Sequence, residues 1–280
     1  MTTTIFESIS ALQQSAAPLF AHPDSFGSVI PGLLAATACK NQLPAWHTAI
    51  MHGSQMLALA VWTHPGRPIV ATSLVTHDPS VAPLIAQAAS TAPHPFQGII
   101  ARSSLADLIA QHYARIKPAT LSLYRRLAIY RCDRVTIPDG PARLRLATET
   151  DFDLATTFAA AFIAEVNEAG EEPAAVTRRL LSDHRLWLLC DSGQPVSTVA
   201  ALGELSPGST STRVGFVYTP PVHRRRGHAA RATALLTNHL LQSRPVVTLY
   251  ADLANPTSNH IYQSIGFRPV TDCTHWQFGS

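Results

Sequence analysis

The chain has 280 residues, of which 46% are hydrophobic and only 14% are charged. This balance supplies enough apolar material for packed cores and excludes broad disorder, which requires high charge and low hydrophobicity. The formal net charge of +3 is mildly basic, and by itself it is too small to indicate nucleic-acid binding. The length accommodates one large domain or two of ordinary size.

The positions of the cysteines, the histidines and the apolar runs indicate the redox compartment, the metal content and the relation to membranes. The cysteines at 39, 132, 190 and 273 are far apart and predict buried free thiols in a reducing compartment. The histidines show no HExxH or zinc-type spacing, so we expect no metal. Residues 1–15 lack a signal-peptide pattern, and no apolar run reaches the roughly 18 residues of a membrane span. We expect a cytoplasmic protein without a membrane partner.

The first half predicts a hairpin followed by helix, strand, helix and strand. Two apolar runs at 56–62 and 68–74 flank a Pro-Gly turn, a pattern typical of a hairpin. Helical spacing follows at 80–90, and Ser103 is predicted to be the N-cap of the next helix. The remaining predicted elements are helices at 5–16 and 33–42 and strands at 98–101 and 121–132.

A Pro/Gly-rich stretch at 133–142 predicts a linker to the second half. Thr148 and Asp151 form a capping signature before a helix, and Asn255-Pro256 predicts another helix start that Gly266 ends. The predicted second half has helices at 149–166, 174–182, 227–242 and 255–266, with strands at 144–147, 186–190, 195–202, 213–218, 246–250 and 268–278. No strong internal identity relates the halves, but their similar element order suggests a tandem arrangement.

The stretch 217–229 carries the most specific chemistry. Pro220 and Pro221 lack N–H groups, so the chain must leave an interior sheet there, and Gly227 permits positive φ or close backbone approach. Arginines at 224, 225 and 226 precede a helix N-terminus, which favours an anion by about 0.3–1 kcal/mol. This layout predicts a phosphate cradle; the alternative is a solvated basic turn before an ordinary helix.

Two motifs in residues 144–278 resemble the GCN5-related N-acetyltransferase (GNAT) family. The run Arg224-Arg225-Arg226-Gly227-His228-Ala229 matches the signature [Q/R]-x-x-G-x-[G/A], and Asn255 followed by Tyr262 and Gly266-Phe267 matches a second family pattern. The resemblance implies that the first motif holds the pyrophosphate of coenzyme A. It further implies that the backbone of the strand at Phe216, Val217, Tyr218 and Thr219 pairs with pantetheine and the acetyl carbonyl. Their side chains are equally consistent with ordinary sheet packing.

The resemblance also implies that Tyr262 protonates the departing thiolate. Asn255, Ser258 (or Asn259) and Tyr262 share a helix face that is predicted to meet the sulfur end of the cofactor; the alternative for Tyr262 is packing below Phe267. The strand at 213–218 lacks the glutamate base frequent in the family. Glu204 and Glu165 are the weak candidates, Asp252 is another weak candidate, and His223 and His228 are expected at the surface.

The predicted fold class is α+β (mixed α/β): a GNAT-like central mixed β-sheet flanked by helices, in two tandem GNAT-like halves. Residues 1–135 are predicted to form a degenerate GNAT-like or accessory domain that does not bind coenzyme A, and residues 143–280 an acetyl-CoA-binding N-acetyltransferase domain. The expected partner is a small-molecule or peptide amine, and the chain is expected to be a monomer or homodimer. Two alternatives remain: a non-catalytic acetyl-CoA sensor, and a nucleic-acid module built on Arg224–Arg226 and Arg231.

Overall fold

A computed structural model describes most of the chain, and it forms two compact units. The described residues are 1–21, 30, 33–34, 42–63, 67–73, 79–92, 96–167, 172–202 and 211–279. The first unit comprises Met1–Ala128, Asp252–Ala254 and Val270–Ser280, and the second comprises Ile129–Ala251 and Asn255–Pro269. The division into domains at 135–143 stays a prediction. Over the described ranges, no helix is long and apolar enough to cross a membrane.

The first unit is a mixed sheet with helices packed on it. Its strands follow the order β1-β2-β3-β4-β5-β12, in which β4 and β5 are parallel and the other pairs with a recorded register are antiparallel. The elements are β1 Thr2–Thr4, α1 Ile9–Ala21, β2 Trp46–His52, β3 Gln55–Trp62, β4 Ile69–Ser73, α2 Val81–Ser90, β5 Gly98–Arg102, α3 Ser103–Ile116, the start of β6 Thr120–Cys132, and most of β12 Arg268–Gly279.

The second unit repeats this strand plan. Read from β7, its order is β7-β8-β9-β10-β11-β6, with β10 and β11 parallel and β7 to β10 antiparallel. Its elements are β7 Arg143–Leu146, α4 Phe152–Glu165, α5 Pro173–Ser182, β8 Leu186–Asp191, β9 Gln194–Leu202, β10 Ser211–Tyr218, α6 His228–Leu241, β11 Val246–Asp252 and α7 Pro256–Ser264. The predicted fold class, a mixed sheet flanked by helices in two similar halves, is confirmed.

Local capping chemistry places the helices of the second unit. Thr148 and Asp151 form a reciprocal capping box, as predicted, and a short 3-10 turn at 149–151 leads into α4. Asn255 caps α7 by accepting a 3.0 Å hydrogen bond from the Ser258 N–H, and Gly266 follows at φ +105°. The predicted helix starting at Ser103 exists, but Arg102 occupies the N-cap position and Ser103 is the first helical residue.

The sequence-based prediction missed β1 and β2, because polar residues such as His47 and Thr48 interrupt the apolar pattern of β2 although both are buried. The helix predicted at 33–42 lies almost entirely outside the described residues. Cys132 and Cys190 are free thiols, the first buried and the second half-buried, and Cys273 is buried. Cys39 lies outside the described residues.

Candidate active site

The site begins where β10 separates from β11. The parallel register between these strands ends at the pair Val214 and Leu249, and a bulge between Gly215 and Tyr218 shifts the pairing with β9. Phe216 adopts φ +53°, a conformation that non-glycine residues seldom take and that re-aims the strand. Residues 215–218 therefore turn away from β11 and leave their backbone on that side available to an extended ligand.

Ser197 on β9 fixes the end of β10. Its hydroxyl, with no exposure to solvent, donates a 2.7 Å bond to the Tyr218 carbonyl. The Ser197 and Thr219 hydroxyls are 2.9 Å apart, and since Ser197 has already used its proton, Thr219 is the donor. Sequence analysis missed Ser197; its only signal is a small polar residue inside the apolar run of β9. These bonds position the strand end from which the turn departs.

The turn after β10 exposes a run of unsatisfied backbone amides. The first α6 hydrogen bond joins the Arg231 N–H to the Gly227 carbonyl at 3.0 Å. Across the described residues, the N–H groups of residues 225–230 have no backbone acceptor, and no side chain caps the helix. Arg225 (φ +59°) and Gly227 (φ +77°) both take left-handed conformations. A concave array of amides at a helix N-terminus is an anion-binding arrangement.

The structure separates the arginines by role. Arg224 donates from Nε to the Thr219 carbonyl at 2.8 Å and forms an ion pair with Glu165. Arg225 and Arg226 are exposed and have no carboxylate partner among the described residues. Arg231 is buried and donates to the carbonyls of Ala142 and Pro138, which fastens the 138–142 segment to α6. Only Arg225 and Arg226 therefore remain as free cations at the turn.

His228 and Ala229 form the first turn of α6. His228 was expected at the surface, but it is 7% exposed, and its Nε2 is buried without a hydrogen-bond partner in the described part of the chain. Burial lowers the pKa of His228, the Asp191 carboxylate opposes that shift, and His223 and Arg226 add to it. The side chain is therefore a neutral imidazole at neutral pH, and Ala229 beside it is half-buried.

Side chains of α4 pack over β10. Phe162 contacts Phe216 with ring centroids 4.6 Å apart, and Phe158 contacts Tyr218 at 5.8 Å. These contacts give the Phe216 and Tyr218 side chains ordinary packing roles, as the sequence allowed. A ligand that uses this strand would meet its backbone.

Tyr262 on α7 is a buried phenol. It is 9% exposed, its ring lies 6.3 Å from those of Tyr130 and Phe267, and within the described ranges no hydrogen bond reaches its hydroxyl. Burial raises the pKa of Tyr262 to about 12. The side chain therefore keeps its proton at neutral pH and has it available for donation.

The other polar residues of the α7 face have local partners. Asn255 is the N-cap and is exposed, while Ser258 is half-buried and contributes its N–H to that cap. Asn259 is the buried member of the face and accepts a 2.8 Å bond from the Tyr130 hydroxyl. The Tyr130–Asn259 bond was not predicted, because their separation in sequence hides it. It braces the helix that carries Tyr262.

The carboxylates proposed as bases lie in different settings. Glu165 is paired with Arg224, and Asp252 lies 3.5 Å from Arg125 within the first unit. Glu204 lies outside the described residues. No group of three or more His, Cys, Asp or Glu side chains gathers in metal-binding geometry in the part of the chain that the structure describes.

Comparison with known proteins agrees with the fold. Residues 197–276 match the family described as "FR47-like protein". A GNAT-family acetyltransferase from Colwellia psychrerythraea is 16% identical, with 99% of each chain covered and a TM-score of 0.63. A GCN5-related N-acetyltransferase from Kribbella flavida is 18% identical, covering 90% of this chain and 96% of that one, with a TM-score of 0.57.

A tandem GNAT protein from the clavulanic acid biosynthesis pathway is similar over 98% of this chain and 94% of that one, at 11% identity and a TM-score of 0.57. No curated protein matches the sequence. These likenesses define the class: the chain has the GNAT fold, and the likeness recognised from the sequence is confirmed. Within that class, residues 197–276 form an FR47-like segment that contains β10, the amide turn, α6 and α7.

Proposed function

We propose that this protein is an N-acetyltransferase that transfers an acetyl group from acetyl-CoA to an amine acceptor. The observation that carries the proposal is the run of N–H groups at 225–230, which have no acceptor among the described residues and are flanked by the unpaired cations Arg225 and Arg226. A pyrophosphate supplies the negative oxygens that this array lacks. Asn255 and Ser258 remain predicted contacts of the same cofactor.

The thioester arm is proposed to run along the separated end of β10. Residues 215–218 no longer pair with β11, so their backbone groups are free to pair with the pantetheine amides as an added strand would. A backbone N–H near Val217 or Thr219 then donates to the acetyl carbonyl oxygen. That hydrogen bond strengthens as the oxygen gains negative charge during attack.

The proposed reaction is a direct attack within a ternary complex. The acceptor nitrogen forms the new C–N bond, the C–S bond breaks, and sulfur takes the Tyr262 proton to leave as the thiol. The phenol has a pKa of about 12, whereas an ordinary thiol has a pKa of about 8.5. Proton transfer from the phenol to sulfur is therefore uphill by itself and requires that the phenolate be reprotonated in the same reaction. The phenolate regains its proton from the acceptor nitrogen, which is neutral when it attacks and positively charged once the C–N bond has formed, and this balances the reaction.

The base that deprotonates the acceptor is not assigned to a side chain in this proposal. Glu165 is paired with Arg224, so using it requires that ion pair to open. Glu204 and Asp252 remain weak predictions from the sequence. Since an amine can lose its proton to water before it binds, the proposed chemistry does not depend on a protein base.

The test is release of coenzyme A thiol from acetyl-CoA over a panel of amino acids, peptides, polyamines and aminoglycosides. Amine-dependent thiol release is the expected result. Acetyl-CoA binding without release for any amine would support a sensor protein instead. Failure to bind acetyl-CoA, together with steep salt-dependent binding of DNA, would favour the nucleic-acid alternative.

A further inference from the structure

Arg213 on β10 is a partly buried cation without an anionic partner. Its Nε is buried and makes no hydrogen bond, and across the described residues no carboxylate pairs with it. The guanidinium carbon lies 4.9 Å from the centroid of the Tyr250 ring. A buried unsatisfied donor is rare because it forfeits hydration without replacement, and it therefore requires an explanation.

The position of Arg213 in the sheet relates it to the separated end of β10. Arg213 is opposite Thr248 in the parallel register, and Tyr250 is two residues further along β11. By stacking on Tyr250, the guanidinium leans forward to the level of Gly215, next to the segment 215–218. Since a strand rises about 3.3 Å per residue, the guanidinium lies roughly 3 Å along the strand from the backbone of Phe216 and roughly 7 Å from that of Val217.

The face that carries Arg213 is half-buried along residues 213–217. Residues 213 and 215 point to the same face because strand side chains alternate, and residue 215 is glycine. A Cβ added at Gly215 would approach the Leu202 side chain to 2.5 Å, so Leu202, the register partner of Arg213 on β9, lies over Gly215 and forms one wall beside the guanidinium. On β11, Thr248 and Tyr250 on this face are only half-buried.

We propose that Arg213, stacked on Tyr250, binds a carboxylate group of the acceptor and so orients its amine toward the thioester. This inference rests on the proposed acetyl transfer and names the class of acceptor: an amine that carries a carboxylate a few bonds away. The planar guanidinium fork matches a carboxylate in a bidentate geometry, and the Nε donor gains the acceptor it lacks. Arg213 is thus a substrate-positioning residue.

An experiment can distinguish the proposed carboxylate-binding role of Arg213 from a purely packing role of its stack on Tyr250. Arg178 lies over the Phe152 ring at 5.0 Å, a similar arginine-on-ring contact in the same unit, on the exposed surface of α5. Arg178→Met removes the same charge and the same kind of stack as Arg213→Met. Arg178→Met is therefore the matched control for net charge and for the loss of a cation–π contact.

The experiment compares acceptors that differ only in the carboxylate. Glycine, β-alanine and 4-aminobutyrate are each assayed beside the corresponding carboxamide, with thiol release giving kcat/KM for each. The wild-type protein is expected to prefer the carboxylate, and Arg213→Met is expected to lower that preference about 10- to 100-fold, the effect of a charge-assisted pair. Arg213→Lys is expected to retain part of the preference, and Arg178→Met all of it. Aminomethylphosphonate distinguishes a carboxylate site from a general anion site.

Calorimetric titration of the same acceptors into the coenzyme A-loaded protein adds a readout without turnover, and circular dichroism reports folding of each variant. Equal use of carboxylates and carboxamides, an unchanged preference in Arg213→Met, or no carboxylate binding to the loaded protein would each overturn this inference. The first two of these results leave the acetyltransferase proposal standing. If acetyl-CoA neither binds nor releases thiol, the acetyltransferase proposal fails, and this inference fails with it.

Discussion

Gly227 combines a left-handed backbone with open space, and the proposed cradle needs both. At φ +77° an alanine would be strained by about 1–2 kcal/mol, although its Cβ would meet no protein atom within 4 Å. Gly193, in the β8–β9 turn, has φ +82° and equally open surroundings. It is therefore a matched control for backbone strain at a site that is not proposed to bind a ligand.

We predict that Gly227→Ala and Gly193→Ala lose similar stability in urea unfolding. Only Gly227→Ala is expected to weaken acetyl-CoA binding, by about tenfold, because strain in the turn misaligns the amides that face the anion. Calorimetric titration of both variants checks this. Equal acetyl-CoA affinities for the two variants would contradict the role given to the turn.

Tyr262→Phe is expected to lower kcat about a hundredfold while leaving acetyl-CoA affinity nearly unchanged, because the lost hydroxyl acts only when sulfur departs. Tyr113→Phe is the control: Tyr113 is also buried, and burial also raises its pKa, but it stacks on Phe278 in the first unit. Single-turnover thiol release with a saturating amine measures the chemical step. An unchanged kcat in Tyr262→Phe would remove its role as an acid.

Individual residues also show where sequence reasoning stops. The αL glycine and the Asn255 cap follow from rules that relate a residue type to a local conformation, and Tyr262 was selected by the resemblance to the GNAT family. The Arg224–Glu165 ion pair, the Ser197 bond to Tyr218 and the unpartnered Arg213 depend on which strands become neighbours. No local pattern encodes that pairing, so sequence analysis grouped Arg224 with Arg225 and Arg226 and missed Ser197 and Arg213.

At the scale of the elements, the turn into α4 contains an ion pair between Arg145 and Asp151 with a clear effect on the pKa of the carboxylate. Arg145 donates two 2.7 Å bonds to the Asp151 carboxylate, which also accepts the Thr148 N–H. The Arg145 hydrogen bonds, with a smaller contribution from Thr148 and against the cost of burial, lower the pKa of Asp151 to about 2 from an ordinary 3.8. The folded state therefore holds the ionised carboxylate, and its stabilisation is present above pH 3.8 and fades as the pH falls towards 2.

We predict that Asp151→Asn lowers stability at pH 7 by about 2 kcal/mol, the value of such a pKa shift. The difference from wild type should narrow steadily between pH 4 and pH 2. Urea unfolding at stepped pH measures this, with Asp153→Asn as a control, since Asp153 is an exposed carboxylate two residues further along, in the first turn of α4. If the difference in unfolding free energy between Asp151→Asn and wild type did not depend on pH, the stabilisation by Asp151 would not be electrostatic.

Helix ends and hairpins were predictable because caps, turns and apolar runs are local signals. The bulge at Phe216 was not, because positive φ at a phenylalanine has no sequence signature; in the structure Phe216 contacts Phe162 and leads into the turn. The bulge is also the feature that opens β10. The separated end of β10, which is the part of the site closest to the proposed chemistry, was therefore predicted least well from the sequence.

At the scale of the whole molecule, the repeated strand plan identifies which turns correspond. β4 and β5 are parallel and enclose α2, as β10 and β11 are parallel and enclose α6. The counterpart of the cradle is thus the segment 74–80 between β4 and α2. Residues 74–80 contain an aspartate and neither glycine nor arginine.

We therefore predict that the chain binds one acetyl-CoA and that the first unit binds none. A segment without arginine, lysine or glycine lacks both the permanent cations and the residue type that most readily takes an αL conformation around a pyrophosphate. The stoichiometry of an acetyl-CoA titration measures this prediction, and a value of two per chain would contradict it.

The most direct test of the central claim is the dissociation constant for acetyl-CoA of wild type beside an Arg225→Gln/Arg226→Gln double variant, measured by calorimetry at fixed salt. These cations have no partner within the described part of the chain, so their removal leaves no buried charge behind. If the turn at 225–230 holds the pyrophosphate, the wild type binds acetyl-CoA and the double variant binds it at least about tenfold more weakly. Equal affinities, or no binding by the wild type, would contradict the account.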